Sequence, residues 1–156
     1  MQKFKSFITE EVVHDKITVL ILTNSKAKKP EIVTGMLLKA CADLGLPCYR
    51  VVTTEAWVSD NDIEKGTVAI KNYDGEEKDI VVETATTVVF VRAGVLQDEI
   101  GLALLGTLQN AGCMMINDRD GMLTCDNKMS AYTSFERNNI NTPRTSLVNN
   151  EKSIID

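Results

Sequence analysis

The chain has 156 residues, 44% of them hydrophobic and 25% charged, which are the proportions of an ordinary globular domain able to bury roughly 70% of its unfolded surface. Its 17 basic and 22 acidic residues leave a net charge of −5, which argues against nucleic acid or an anionic membrane as a partner, because phosphate binding needs a basic footprint. The four cysteines (Cys41, Cys48, Cys113, Cys125) form no CxxC pair and have one histidine, His14, beside them, so neither a zinc site nor a Cys–His nucleophile is expected.

Residues 1–16 read as a polar N-terminal extension without the apolar core of a signal peptide, and no run of 18 apolar residues follows. A reduced, cytoplasmic setting is the expectation. Residues 17–23 (ITVLILT) are an almost unbroken apolar, β-branched run, suited to a strand buried on both faces of a parallel sheet. Thr23-Asn24-Ser25 is hydroxyl-rich but has no glycine to admit a phosphate, and a solvated loop is expected there. Pro30 opens a helix in which Ile32/Val33, Met36/Leu37, Ala40/Cys41 and Leu44 form one apolar stripe, and Gly45 stops it. Residues 48–53 return as a strand, completing a β-α-β unit with a right-handed crossover.

The segments TVAIKN (67–72) and KDIVVE (78–83) alternate apolar and polar residues around Asp74-Gly75, a hairpin signal. Thr87–Val91 is a buried-type strand that ends at Arg92. Asp98 can cap a helix on which Ile100, Ala103/Leu104, Leu108 and Ala111 share a face, with Gly112 as its stop. Gly101 and Gly106 trace the outline of a phosphate loop without its lysine, so they are expected to admit close helix–sheet packing instead. Met114–Ile116 is a strand leading to Asn117, and Asp118-Arg119-Asp120 reads as a capping turn. An amphipathic helix follows, capped by Asp126 and carrying Lys128 in its first turn, then an asparagine-rich stop and a final strand over Arg144–Val148. The predicted fold class is α/β: a three-layer, mostly parallel sheet with an inserted β-hairpin. Residues 1–16 form an extension, 17–125 the α/β domain, and 126–156 a linker helix and strand.

Two residues stand out chemically. Arg92 is at the carboxyl end of a parallel strand, the edge where open α/β sheets bind ligands. A guanidinium there can hold a carboxylate or phosphate bidentately, or pair with Asp98 or Glu99. Lys128 places a positive charge at the positive end of a helix dipole, which hints at a nearby anion.

The pieces VVFVRAG (88–94), MIN (115–117), DNK (126–128) and NINTPRT (139–145), taken in order and spacing, resemble the N-terminal pre-ATP-grasp domain of ATP-grasp ligases. The branch they resemble is that of glutathione synthetase and the ribosomal-protein glutamate ligases. In that family a strand ending in Arg is followed by a short strand ending in Asn, a helix opened by Asp-Lys or Glu-Lys, and a Gly-Ile-x-x-Pro-x-Thr close. This chain has Asn127 before the lysine and Asn139 in place of the glycine. The resemblance implies a Rossmann-like fold, a substrate-facing role for Arg92, an ATP-phosphate contact for Lys128 and a structural role for Asn117. It implies ATP and Mg²⁺ as cofactors of the complete enzyme, and small-molecule or peptide carboxylate and amine substrates. A C-terminal ATP-grasp domain would be the partner, supplying the metal ligands; homo-oligomers are possible in such a family. No catalytic or metal-ligating residue is assigned here, and this piece alone is expected to bind ATP weakly and to be inactive. The alternatives are a stand-alone α/β binding module without catalysis, and a flavodoxin-like redox domain.

Overall fold

A computed structural model describes residues 17–26, 30–59, 66–74, 77–92, 94–144 and 146. The chain divides into two compact units, Met1–Arg119 and Asp120–Asp156. The first is built on a four-stranded, fully parallel sheet in the order β2-β1-β6-β7, with a separate three-stranded antiparallel sheet in the order β3-β4-β5.

In the parallel sheet, β1 (Thr18–Thr23) is flanked by β2 (Cys48–Val52) on one side and by β6 (Thr87–Val91) on the other, and β6 is followed by β7 (Met114–Ile116). The β1 run is buried at every position from Val19 to Thr23. Its side chains alternate between two cores. Val19 and Ile21 pack with Cys41, Leu37 and Leu38 of α1 (Ile32–Asp43). Leu20 and Leu22 pack with Leu104, Leu105 and Leu108 of α2 (Glu99–Asn110), together with Val68, Ile70 and Val82 of the small sheet. Both faces of the strand are dry, which is why its sequence shows no polar alternation.

The hairpin forms as its alternation predicts, β4 (Thr67–Lys71) pairing antiparallel with β5 (Ile80–Glu83). Val68, Ile70 and Val82 turn inward, while Val81 on the opposite face is 64% exposed. Gly75 lies outside the described residues, but Asp74 before it pairs with Lys78 at 2.9 Å. A third strand, β3 (Trp57–Ser59), adds to β4 and was not predicted. The hairpin is tied to the main sheet by Val52 N–H donating to Tyr73 C=O at 2.8 Å and by an edge-to-face contact of Tyr49 on Tyr73.

The structure keeps part of each predicted helix face, Leu37 and Cys41 on α1 and Leu104, Leu108 and Ala111 on α2, and corrects the rest. On α1 the buried positions are Thr34 and Cys41, with Leu37 and Leu38 half-buried. Ile32, Val33, Met36 and Leu44 point outward. The helix starts at Ile32 after Glu31, so Pro30 precedes its cap instead of occupying its first turn. On α2 the inward residues are Gly101, Leu104, Leu105 and Leu108, and Ile100 is exposed. Gly101 packs as expected of it: a Cβ there would lie 2.6 Å from Val95 O. Gly106 has no comparable neighbour, since the nearest atom would be 4.0 Å away.

In the second unit, α3 (Arg119–Asp126) and α4 (Lys128–Arg137) contain no buried residue. α3 replaces the predicted capping turn and begins at Arg119, the last residue of the first unit. The predicted strand at Arg144–Val148 falls mostly outside the described residues; Arg144 and Ser146 are not in a strand.

Among the described residues, three of the four α-helices end in the same hydrogen-bonded exit. After α1, Leu46 N–H donates to Cys41 C=O and Gly45 N–H to Ala42 C=O. After α2, Cys113 bonds Leu108 and Gly112 bonds Gln109; after α4, Ile140 bonds Phe135 and Asn139 bonds Glu136. Each is a Schellman motif whose pivot must be left-handed, and Gly45, Gly112 and Asn139 have φ of 69°, 99° and 55°.

Candidate functional site

The strand order places a topological switch point between β1 and β6. The chain leaves β1 toward β2 and leaves β6 toward β7, so the connections after these neighbours run to opposite sides of the sheet, the position where open α/β sheets bind ligands. Arg92 stands at this edge. Its N–H donates to Leu22 C=O at 2.9 Å, extending the β1–β6 ladder by one residue and fixing where its side chain starts.

Four short segments meet at this edge. Thr23, 1% exposed, accepts a hydrogen bond from Ser25 N–H through its hydroxyl and from Thr53 N–H through its carbonyl. These bonds hold the β1 loop against the end of β2. Asn24 packs directly on Gly94, whose φ of 87° and lack of a Cβ let the β6–α2 loop approach. Lys26 and Glu55 form an ion pair at 3.1 Å over the β1–β2 side. Asp98 caps α2, its Oδ1 accepting from Ile100 N–H at 3.2 Å.

Two atoms of this edge are buried without a hydrogen-bond partner: Arg92 Nε and Asp98 Oδ2. An unsatisfied buried polar group costs about 1–3 kcal/mol, more when charged. No ion pair joins Arg92 to Asp98 or Glu99 among the described residues, so the surface-pair role is not adopted in this structure. Asp98 and Glu99 already complement the positive end of the α2 dipole. The half-buried Arg92 carries a fork whose geometry could match a carboxylate or phosphate. Asn117, exposed, follows β7 at the same edge.

Lys128 belongs to the second unit and is the first residue of α4. Asp126 does not cap this helix, because it ends α3; Asn127 does, its Oδ1 accepting from Ser130 N–H at 3.1 Å. Lys128 is exposed, and no acidic residue occupies the first turn. A groove of about 480 Å³ is lined by Thr124, Asn127, Ser130, Thr133, Ser134 and Arg137 among others, and Lys128 is not one of them. The Thr124 and Thr133 hydroxyls are committed to carbonyls of their own helices.

Sequence reasoning placed Arg92 at this edge but missed Asn24, Gly94 and the second carboxylate oxygen of Asp98. The signal for Gly94 was available: a glycine three residues past a buried parallel strand, where a loop must turn sharply. No protein-family model and no curated protein matches the chain. Among the described residues, no group of three or more His, Cys, Asp or Glu is placed to hold a metal ion, and no helix is long and apolar enough to cross a membrane.

Proposed function

We propose that this chain is the substrate- and nucleotide-wall domain of a cytoplasmic ATP-dependent carboxylate–amine ligase of the ATP-grasp kind. The carrying observation is Arg92, anchored by its backbone at the switch-point edge with a guanidinium nitrogen left without a partner. The order of the Arg-ended strand, the Asn-ended strand and the Asn-Lys helix supports the same reading. So does a left-handed Asn139 where the family pattern has glycine. A three-layer, Rossmann-like arrangement and an ATP-grasp domain as partner belong to this proposal.

In this reading Arg92 grips a substrate carboxylate with two parallel N–H···O bonds and fixes its orientation. Lys128 fits a phosphate: it is exposed, free of acidic neighbours in its turn, and at a helix amino end. ATP, when bound, supplies the phosphoryl group that activates the carboxylate toward the amine. The described residues do not fit Mg²⁺, and its ligands in this reading come from the ATP-grasp domain.

The test is a paired assay in the chain joined to its ATP-grasp domain. Losing a charge-assisted contact of about 1.5–3 kcal/mol makes Lys128→Ala raise the apparent KM for ATP about tenfold or more and leave that for the carboxylate unchanged. Arg92→Ala does the reverse. An unaltered ATP dependence in Lys128→Ala refutes the role of that lysine.

A further inference from the structure

The small sheet ends in an open edge at β5. Thr84 N–H donates to Gly66 C=O at 2.9 Å, and in the same antiparallel register Val82 lies opposite Val68 and Val81 opposite Ala69. Hydrogen-bonded and non-bonded pairs alternate along such a ladder. Val82 therefore turns its backbone groups toward β4, and Val81 and Glu83 turn theirs away. Among the described residues, no hydrogen bond reaches Val81 N–H, Val81 C=O or Glu83 N–H. The Glu83 carbonyl is closed by Thr87 Oγ1 at 2.6 Å.

The side chains beside this edge define what it accepts. Asp79, Val81 and Glu83 alternate onto one face, and all three are exposed. Asp79 is paired with Lys71 at 2.8 Å, whereas no ion pair reaches Glu83 among the described residues. Glu77, also exposed, adds a third carboxylate just before the strand. A second copy fits badly. A two-fold axis at Val81 sets Asp79 against a second Glu83, and one at Ile80 sets Glu77 against it; like charges directly opposite are destabilising. An axis further along runs into the 3₁₀ turn Thr84–Thr86. The acidic rim thus keeps copies apart. A foreign strand with an apolar residue opposite Val81 and a lysine or arginine two places to either side meets the opposite sign at both Asp79 and Glu83.

We propose that the β5 edge takes an extended basic segment of another protein, of the pattern basic-x-apolar-x-basic, as a fourth strand of the small sheet. Backbone pairing supplies the affinity and the alternate side chains the selectivity. The proposal is independent of the ligase reading. Its test titrates the full chain with the end-blocked peptide Lys-Thr-Val-Thr-Lys and follows backbone amides by NMR. The peptide shifts the Val81 and Glu83 amides and, at about ten times its Kd, slows their hydrogen exchange about tenfold. Val81→Pro removes the outward N–H but leaves the β4 ladder, because an edge strand tolerates proline there; binding is lost. Glu83→Lys keeps every backbone group, should the proline variant not fold, and weakens binding about fivefold or more. Shifts centred elsewhere, equal binding of Glu-Thr-Val-Thr-Glu, or both amides unmoved at about 10 mM peptide overturn the proposal. So does protection of Val81 that rises with protein concentration in the absence of peptide, because the occupant is then a second copy.

Discussion

Asn139 shows how a single position can carry a helix exit. At φ 55° it takes the pivot of the Schellman motif after α4, a role glycine fills after α1 and α2. Asparagine tolerates this conformation better than other residues with a Cβ, though less well than glycine. Asn139→Gly should therefore leave stability unchanged or raise it slightly, and Asn139→Ala should lower it by about 1 kcal/mol, both read from urea midpoints. An equal midpoint for Gly and Ala would show that the left-handed turn does not form in solution. The thiols divide in a similarly local way. Cys125 is exposed and Cys41 buried, while burial pushes the Cys113 thiol up to about 11. Burial first, and then its hydrogen bond and proximity to Cys41, push Cys48 up to about 12. Thiolate is the reactive form, so a disulfide reagent at neutral pH should find one fast thiol in the native protein and lose it in Cys125→Ser.

At the scale of elements, the strands were legible because their identity rests on runs that no other structure accommodates. ITVLILT and TVVFV have no polar face to offer a surface helix. The helix faces were less legible. α1 is apolar on two sides, Ile32/Val33/Met36/Leu44 and Leu37/Leu38/Cys41, and periodicity alone cannot say which side meets the sheet. Thr34, only 1% exposed, marks the inward side, but a threonine carries little weight in an apolar count. On α2 the decisive residue is Gly101, which no hydrophobic pattern scores. β3 was missed because Trp57–Ser59 is too short to show alternation. α3 was missed because RDGMLTCD is polar, contains a glycine and buries nothing. The candidate site was half legible: Arg92 follows from strand position, whereas the Asn24–Gly94 approach depends on two loops meeting in space. Gly101→Ala tests the helix–sheet contact directly. Its Cβ would sit 2.6 Å from Val95 O and 3.3 Å from Thr53 Oγ1, and backbone cannot yield as a flexible side chain can. The expected loss is about 1–3 kcal/mol, with Gly106→Ala, which meets nothing so close, neutral or stabilising. Equal effects at the two glycines would contradict the packing of α2.

At the scale of the whole molecule, the half-buried Cys48 and buried Cys113 thiols make stability fall at alkaline pH. Cys48 and Cys113 rise from 9.0 to about 12 and about 11. Above pH 9 the unfolded chain loses these protons while the folded chain keeps them, so the unfolded state is favoured. The stability they contribute is fully present below pH 9 and drains away as pH climbs toward 11 to 12. Cys48→Ala should make the fall in urea midpoint across that window shallower than in the parent chain, after allowing for its own offset at pH 7. A parallel fall would remove Cys48 from the account.

The parallel register also dictates an order of assembly. Val19 pairs with Cys48 on one side and with Val88 on the other, while β4 and β5 are near neighbours in the chain. During synthesis the hairpin and the β1–α1–β2 unit can form early from local contacts, but the second flank of β1 stays open until β6 leaves the ribosome. Until then Leu20 and Leu22, both fully buried in the finished protein, have no α2 to pack against. Long-range parallel pairing of this kind slows folding and leaves sticky strand edges uncovered on the way. Translation speed through residues 53–86, more than any exchange of core side chains, should therefore govern how much of the newly made chain escapes aggregation.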